Sequence, residues 1–171
     1  MRAVRLFDRL IDGLAVLAAC ILFAITFLIA FDALTRHIPF APRLNGVIEL
    51  TEYALYIVTV LASPWALRLG AHIMVEIVTD SLSPKWKSIA AVMVNLIGLI
   101  VSATLIYAGG LATWKAWMAG TLVFKSFIFP QFWLLLPLPI GALLLLIEFL
   151  LRLSGIRGRT PPTLQHQIQE G

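Results

Sequence analysis

The amino-acid sequence predicts an all-α integral membrane protein in which four transmembrane helices cross the bilayer. Apolar residues make up 60% of the chain and charged residues 13%, whereas soluble domains average roughly half and a quarter. The charges lie mainly in the gaps between four long apolar runs. None of these runs alternates with the two-residue period of a membrane β-strand, so the pattern favours helices.

The lengths of the runs define the spans and the domain. A helix needs about 20 apolar residues to cross roughly 30 Å of hydrocarbon. We therefore predict one membrane domain over residues 1–154 and a flexible cytoplasmic tail over 155–171. The predicted spans cover about 13–35, 47–67, 88–114 and 132–152.

The first span contains a sequence similar to a cleavage site. Leu17–Cys20 resembles the box at which lipoprotein signal peptides are cut, and basic residues precede it. However, the apolar run continues to Phe31, whereas a mature lipoprotein turns polar after its cysteine. We therefore interpret this segment as a retained first span. Cys20 is the only cysteine, so no internal disulfide is possible.

The second span begins with two acids. Glu49 and Glu52 lie about one turn apart, where the helix dipole stabilises negative charge. They are either simple helix-end acids or contacts for a partner protein or a neighbouring helix.

Residues 68–87 predict an amphipathic interfacial arm between the second and third helices. His72, Glu76 and Asp80 fall at i, i+4 and i+8, so they share one stripe if the segment is helical. A single histidine with two acids is weak evidence for a metal ion. We predict an arm at the membrane surface and no metal site.

The third helix is predicted to be longer than the bilayer is thick. Ser83 and Pro84 form a favourable helix start, and a helix from Pro84 to Trp117 would measure about 50 Å at 1.5 Å per residue. Such a helix must tilt or project from the membrane.

A stripe of small residues follows one side of this third helix. Ala108, Ala112, Ala116 and Gly120 recur every four residues, a spacing that lets another helix approach closely, within this chain or in another subunit. Asn95 lies in the same span, and we expect it to form a hydrogen bond to another helix.

Two pairs of opposite charge lie near the ends of spans. Asp32 and Arg36 are four residues apart in the first helix, and Glu148 and Arg152 are four residues apart in the fourth. The carboxylate precedes the cation in both, which is the favoured order. We interpret both as mutually neutralising pairs rather than as transport sites.

The basic residues predict the orientation. The two termini and the second gap carry nine Lys and Arg, whereas the first and third gaps carry four. The positive-inside rule then places both termini in the cytoplasm. In a Gram-negative bacterium the first and third gaps face the periplasm, so we predict a multi-pass protein of the bacterial inner membrane. Topology also explains the net charge of +4 without nucleic acid as a partner.

Several classes of function lack their sequence signals. The chain contains no P-loop and no glycine-rich dinucleotide fingerprint. No histidine stands at membrane depth opposite another, as b-type haem requires, and no span has the broken, charged centre that binds ion and substrate at the midplane. These observations predict an accessory four-span subunit that is not an enzyme and has no cofactor.

Two motifs carry a family resemblance. The run Arg68–Glu76 has the form R-x-G-x-H-I-x-V-E, and Phe129–Trp133 is an aromatic-proline stretch followed by Pro137 and Gly141. With four spans over this length, the chain resembles the small membrane subunit of the tripartite ATP-independent periplasmic (TRAP) transporters, the DctQ-like subunit. The family usually has aspartate where this chain has Glu76. The negative charge is therefore kept, but the side chain is longer.

The resemblance implies a heteromeric importer. A large multi-span subunit would hold the substrate and sodium sites, so sodium is expected there and not in this chain. A soluble periplasmic binding protein would deliver an organic acid. This chain, surrounded by membrane lipid, would brace the large subunit.

Candidate residues follow from the motifs and the charge pattern. The candidates for subunit contact or structural support are Arg68, Gly70, His72, Glu76, Asn95, Ala108 and Ala112. The candidates for periplasmic docking are Arg36, Arg43, Glu49, Glu52 and Lys115.

Two other functions remain open at this point. A small assembly subunit of a membrane redox complex would also be four helices without a catalytic set, and haem or quinone absorbance would identify it. An autonomous small exporter would transport solute in liposomes that hold this chain alone. The transported substrate is not encoded in any feature of this sequence.

Overall fold

The computed structural model describes residues 2–36, 46–69 and 84–155. The helices are α1 (Arg2–Thr35), α2 (Val47–Arg68), α3 (Pro84–Ala119), α4 (Gln131–Leu135) and α5 (Pro137–Leu153). The strands are β1 (Leu122–Phe124) and β2 (Ile128–Pro130). Within these described ranges, four stretches are long and apolar enough to cross a membrane: Val4–Thr35, Val47–Arg68, Ile89–Ala119 and Gln131–Leu153. The predicted class, an all-α membrane protein with four spans, is confirmed.

Helix α1 extends well beyond its apolar run. It begins at Arg2, whereas the predicted span began at about residue 13, where the charges end. The added turns contain both apolar and charged residues, and the charged ones include Asp8 and Asp12. Farther along, the buried positions of α1 recur every seven residues, which defines one narrow seam toward a single neighbour: Ile11, Ala18, Ile25 and Asp32.

Helix α3 begins at Pro84, as the sequence predicted, and ends at Ala119 after 36 residues. At 1.5 Å per residue it is about 54 Å long. Gly120, with a φ of 59°, ends the helix in the left-handed region. The N–H of Gly120 donates to Trp117 O and that of Thr121 to Ala116 O, which is the Schellman pattern of helix termination. Gly120 therefore ends the helix and is not part of a packing stripe along it.

A β-hairpin lies in the third gap, which the sequence analysis treated as a loop. Strands β1 and β2 are antiparallel, with Leu122 opposite Pro130 and Phe124 opposite Ile128. Gln131 N donates to Thr121 O at 2.9 Å and closes the hairpin onto the start of α4. Strands of three residues are too short to produce an alternating pattern that a sequence reading detects.

The long helices form an open layer in the order α1–α2–α5–α3. Helix α1 packs on α2, α2 packs on α5, and α5 packs on α3, whereas α4 packs against α3. Within the described residues no other pair of long helices packs extensively. The arrangement therefore differs from a closed four-helix bundle, in which each helix has two neighbours.

Glycines allow close approach at the two contacts of α5. A Cβ at residue 98 of α3 would overlap the Phe149 ring, and one at Gly109 would lie 3.2 Å from Leu138 Cδ2. These positions bring α3 and α5 together along most of α5.

Gly141 lies where α5 crosses α2. Pro64 has no N–H to donate to the oxygen of Val60 four residues earlier, and Ser63 Oγ donates to that oxygen at 3.0 Å. A Cβ at residue 141 would overlap Val60 Cγ1 and lie 3.1 Å from Val60 O. Glycine is therefore required at this crossing, which gives a packing reason for one residue of the aromatic-proline motif.

Candidate functional site

Charged residues join three helices at the end of the layer where α1 begins and α2 and α5 end. We call Asp8, Asp12, Arg68, Glu148 and Arg152 the ionic clasp, and this end the ionic end. Arg68, the last residue of α2, donates from Nη1 to Asp8 O at 3.3 Å, with Asp8 Oδ1 at 3.7 Å. Its Nη2 forms an ion pair with Asp12. The guanidinium therefore attaches the end of α2 to the start of α1.

Arg152 attaches α5 to the same end of α2. Its Nη2 donates a hydrogen bond to Leu67 O, one of the last carbonyl groups of α2, and its Nε lies 3.7 Å from Glu148 Oε1. Glu148 is fully buried, and its carboxylate also interacts electrostatically with Arg68. The Glu148–Arg152 pair expected from the sequence is present, and it belongs to a cluster that spans three helices.

Sequence reasoning missed Asp8 and Asp12, the two acids that α1 contributes to this clasp. It assigned Arg68 to the arm together with Gly70, His72 and Glu76, which lie outside the described residues. Within the described residues, Arg68 contacts Asp8 and Asp12 on α1, and its role in the arm stays a prediction. Their i, i+4 spacing was a detectable signal, since it puts both carboxylates on one face of a helix.

The hairpin attaches to the start of α2 at the opposite end, which we call the hairpin end. Lys125 Nζ lies 2.9 Å from Glu52 Oε2, and Ser126 N donates to Glu49 Oε2 at 2.7 Å. The ammonium also lies 5.3 Å from the centre of the Tyr53 ring, a cation–π distance. The hydrogen bond to Glu52 raises the pKa of Lys125 above its ordinary value. We call these five residues the hairpin clasp.

Aromatic packing supports the hairpin clasp. A Cβ at Gly46, just before α2, would lie 2.8 Å from Phe127 Cε2, and Gly46 has a φ of 86°. The Tyr53 and Phe129 rings meet edge to face at 5.5 Å between centroids. The hairpin therefore lies directly on the first turns of α2.

The residues predicted for docking have different surroundings. Glu49 and Glu52 both contact the hairpin, so at least part of their role is intramolecular. Arg36 pairs with Asp32 at 2.8 Å, as expected, and its side chain is 60% exposed. Lys115 is exposed on α3, and Arg43 lies outside the described residues.

The candidates on α3 divide into buried and exposed residues. Asn95 is buried, and its Nδ2 donates to Ala91 O of its own helix at 2.9 Å. An amide nitrogen carries two N–H groups, so the expected hydrogen bond to another helix stays a prediction. Ala108 and Ala112 are exposed among the described residues, whereas Ala116 is buried. Of the two alternatives for Ala108 and Ala112, packing within this chain or on another subunit, their exposure favours another subunit.

A groove of about 390 Å³ runs between α2 and α3, above α5. Its lining is almost entirely apolar, and the hydroxyl of Ser102 donates to Gly98 O of its own helix at 2.8 Å. The lining residues are Ser63, Ala66, Leu67, Gly98, Val101, Ser102, Leu105, Leu145 and Phe149. Among residues 2–36, 46–69 and 84–155, no group of three His, Cys, Asp or Glu is placed to hold a metal ion. The groove thus offers an apolar packing surface.

Comparison with known proteins identifies the family. The model of the family described as "Tripartite ATP-independent periplasmic transporters, DctQ component" matches residues 25–157. A search of curated proteins found no match. The match covers most of the chain and includes α2, α3, the hairpin and α5. It describes a transporter component rather than an enzyme. The chain is a multi-pass membrane protein and belongs to the DctQ family, the small component of the TRAP transporters.

Proposed function

We propose that this chain is the small permease subunit of a TRAP-type secondary importer of the bacterial inner membrane. It braces the large membrane subunit during sodium-coupled uptake of an organic acid, which a periplasmic binding protein delivers. The observation that carries this proposal is the open layer α1–α2–α5–α3, held together at both ends.

The open layer leaves most of its apolar surface uncovered. In the most apolar window of each span, only 11% to 22% of the residues are buried within the chain. The remaining surface must contact lipid or another membrane protein. Helices that bury so few of their residues against each other are suited to packing against a larger subunit.

The two clasps give the layer the rigidity that a brace needs. The ionic clasp ties α1, α2 and α5 together, and the hairpin clasp ties the segment after α3 to α2. Because these contacts lie at opposite ends of the helices, they restrict both sliding and splaying of the layer. The prediction that Arg68, His72 and Glu76 fix the interfacial arm stays part of this proposal.

One flank of α3 is suited to a partner helix. Ala108 and Ala112 are exposed and project from the same flank as Val101, which borders the groove. Small side chains there permit close approach of another helix backbone. We assign this flank and the groove to contact with the large subunit.

The same surfaces indicate where the substrate sites, the sodium sites and the docking surface lie in the importer. The groove is apolar, so we place the substrate and sodium sites in the large subunit. We place the ionic end in the cytoplasm and the hairpin end in the periplasm, as the positive-inside rule predicts. Arg36, Glu52 and Lys115 are exposed toward that end and form part of the proposed docking surface for the binding protein.

The flank of α3 is tested by enlarging its small residues. The variant carrying Ala108→Leu and Ala112→Leu is expressed with the large subunit, and copurification and substrate uptake are measured. We expect both to fall at least tenfold, because a leucine side chain prevents close helix approach. Ala103→Leu is the matched control, since Ala103 is exposed on a different side of the same helix. Full assembly of the double variant would refute this assignment.

A further inference from the structure

Among the described residues, one face of the hairpin packs on the protein and the other face is exposed. Val123 pairs with Phe129, whose ring lies against Tyr53 of α2. Side chains alternate along a strand, so Phe124 and Ile128 project from the opposite face. They form a cross-strand pair and are 75% and 67% exposed. Two large apolar side chains thus stand together on the outer face of the hairpin.

The hairpin clasp fixes the depth of this apolar pair. Lys125 and Ser126 hold the hairpin against Glu52 and Glu49, within the first two turns of α2. Helix α2 contains 22 residues, which is about 33 Å and close to the thickness of the hydrocarbon core. The hairpin is therefore level with one boundary of the bilayer, and does not extend far into water.

The neighbouring helices carry aromatic residues at the same end. Trp114 and Trp117 lie in the last turns of α3, Trp133 lies in α4, and all three are more than half exposed. The ring of Trp117 contacts that of Phe132 at 4.6 Å, which joins α3 to α4 beside the hairpin. Tryptophan side chains are enriched where the headgroups meet the hydrocarbon. Phe124 and Ile128 extend this aromatic band.

We propose that the β1–β2 hairpin is an interfacial membrane anchor, in which Phe124 and Ile128 insert into the headgroup–acyl boundary of the phospholipid bilayer. The backbone supports this depth. The sheet has two strands, so the outer edge of each carries N–H and C=O groups without a strand partner among the described residues. Such groups are unfavourable in hydrocarbon but are hydrated at the boundary.

The anchor is tested by measuring the surroundings of a nitroxide label. Phe124→Cys and Ile128→Cys are made separately in a Cys20→Ser background, and each cysteine is labelled in the full chain. The labelled chain is placed in nanodiscs of phosphatidylethanolamine and phosphatidylglycerol, once alone and once with the large subunit. Collision rates with oxygen, which partitions into lipid, and with a water-soluble nickel chelate are compared. We expect oxygen collisions to exceed nickel collisions at least threefold at both positions.

Two further positions calibrate this measurement. A label on native Cys20, which is exposed in the middle of α1, reports full lipid contact and should give a larger ratio of oxygen to nickel collisions. A label at Val123→Cys, on the face toward α2, should collide little with either reagent. Nickel collisions that exceed oxygen collisions at 124 and 128 would place the hairpin in water. Low rates for both reagents in the complex would show that a protein partner covers it. Either result overturns the proposal.

A second measurement uses the unsubstituted chain, so that it does not depend on tolerance of the cysteines. Phospholipids with a photoreactive diazirine near the headgroup or at the end of the acyl chain are incorporated into the same nanodiscs, and adducts are mapped by mass spectrometry. We expect adducts on residues 122–130 from the headgroup-proximal probe, at least fivefold above those from the chain-end probe. Absence of hairpin adducts from both probes would refute the anchor.

Discussion

Arg152 of α5 donates a hydrogen bond to the carbonyl oxygen of Leu67 in the last turn of α2, while its Nε lies 3.7 Å from the buried Glu148 carboxylate. One guanidinium thus contacts a carbonyl group at the end of α2 and a buried carboxylate on α5. This double contact gives Arg152 a structural role at the end of α5.

Replacing Arg152 should destabilise the fold. In Arg152→Met, Glu148 loses its nearest cation on α5 while remaining fully buried, which costs about 3 kcal/mol for a broken buried pair. We expect the detergent-purified chain to unfold at a lower denaturant concentration. The double variant with Glu148→Gln should recover more than half of the loss, because the buried charge is gone. Equal stability of the single and double variants would contradict this account.

The crossing of α2 and α5 should not tolerate a side chain at Gly141. Gly141→Ala places a methyl group against Val60, and overpacking of this kind costs about 1–3 kcal/mol. The control is Gly110→Ala, where no atom lies within 4 Å of the added Cβ. Alanine is favoured over glycine in helices, so this control should leave thermal stability unchanged or higher.

A compensating substitution tests the same crossing. Val60→Ala removes the atom that the new methyl group would overlap, so Gly141→Ala should be less harmful in a Val60→Ala background than in the native chain. Additive losses, measured by the same thermal unfolding, would show that the two residues do not interact.

The hairpin clasp should be stable across physiological pH and weaken in strong alkali. The pKa of Lys125 is raised by its hydrogen bond to Glu52. Its contribution is therefore fully present below the unfolded-state pKa of about 10.4, and is lost as the pH rises through the higher folded-state value. Hydrogen exchange of the hairpin amides at matched intrinsic rates should show constant protection from pH 6 to 9.

The role of Lys125 is tested with its own variant. Lys125→Met should reduce hairpin protection already at pH 7, and its remaining protection should not fall further as the pH rises through the titration range of lysine. Lys115→Met is the control, because Lys115 is exposed on α3 and lies outside the hairpin clasp. If the hydrogen-exchange protection of the hairpin is unchanged in Lys125→Met, the hairpin clasp does not explain the position of the hairpin.

Arg68 should act through α1. We expect Arg68→Ala to reduce copurification of the large subunit and uptake, because it releases the start of α1 from α2. The double variant Asp8→Asn and Asp12→Asn should reproduce that loss. His72→Ala tests the proposed arm separately. Normal assembly and uptake in both Arg68→Ala and His72→Ala would remove the case for the motif.

Sequence patterns alone determined the elements that depend on local properties. Four spans follow from runs of apolar residues, and the start of α3 follows from Pro84, because hydropathy and helix-start chemistry act within a few residues. The pair Glu148–Arg152 was predictable for the same reason, since four residues of one helix set its geometry. The motif that ends at Glu76 and the stretch before Pro137 indicated the family that the comparison confirmed.

Only the tertiary structure decided which helices are neighbours and which charges meet. Arg68 and Asp8 are 60 positions apart, and Lys125 and Glu52 are 73 apart, so no helical period relates them. Hydropathy does not distinguish a closed bundle from an open layer, because the apolar surface of a helix can be covered equally well by lipid or by another helix. The hairpin is held by contacts with Glu49 and Glu52 of α2 and with Gly46 just before that helix, rather than by its own short strands. Its position therefore depends on residues far away in the sequence and follows only from the tertiary structure.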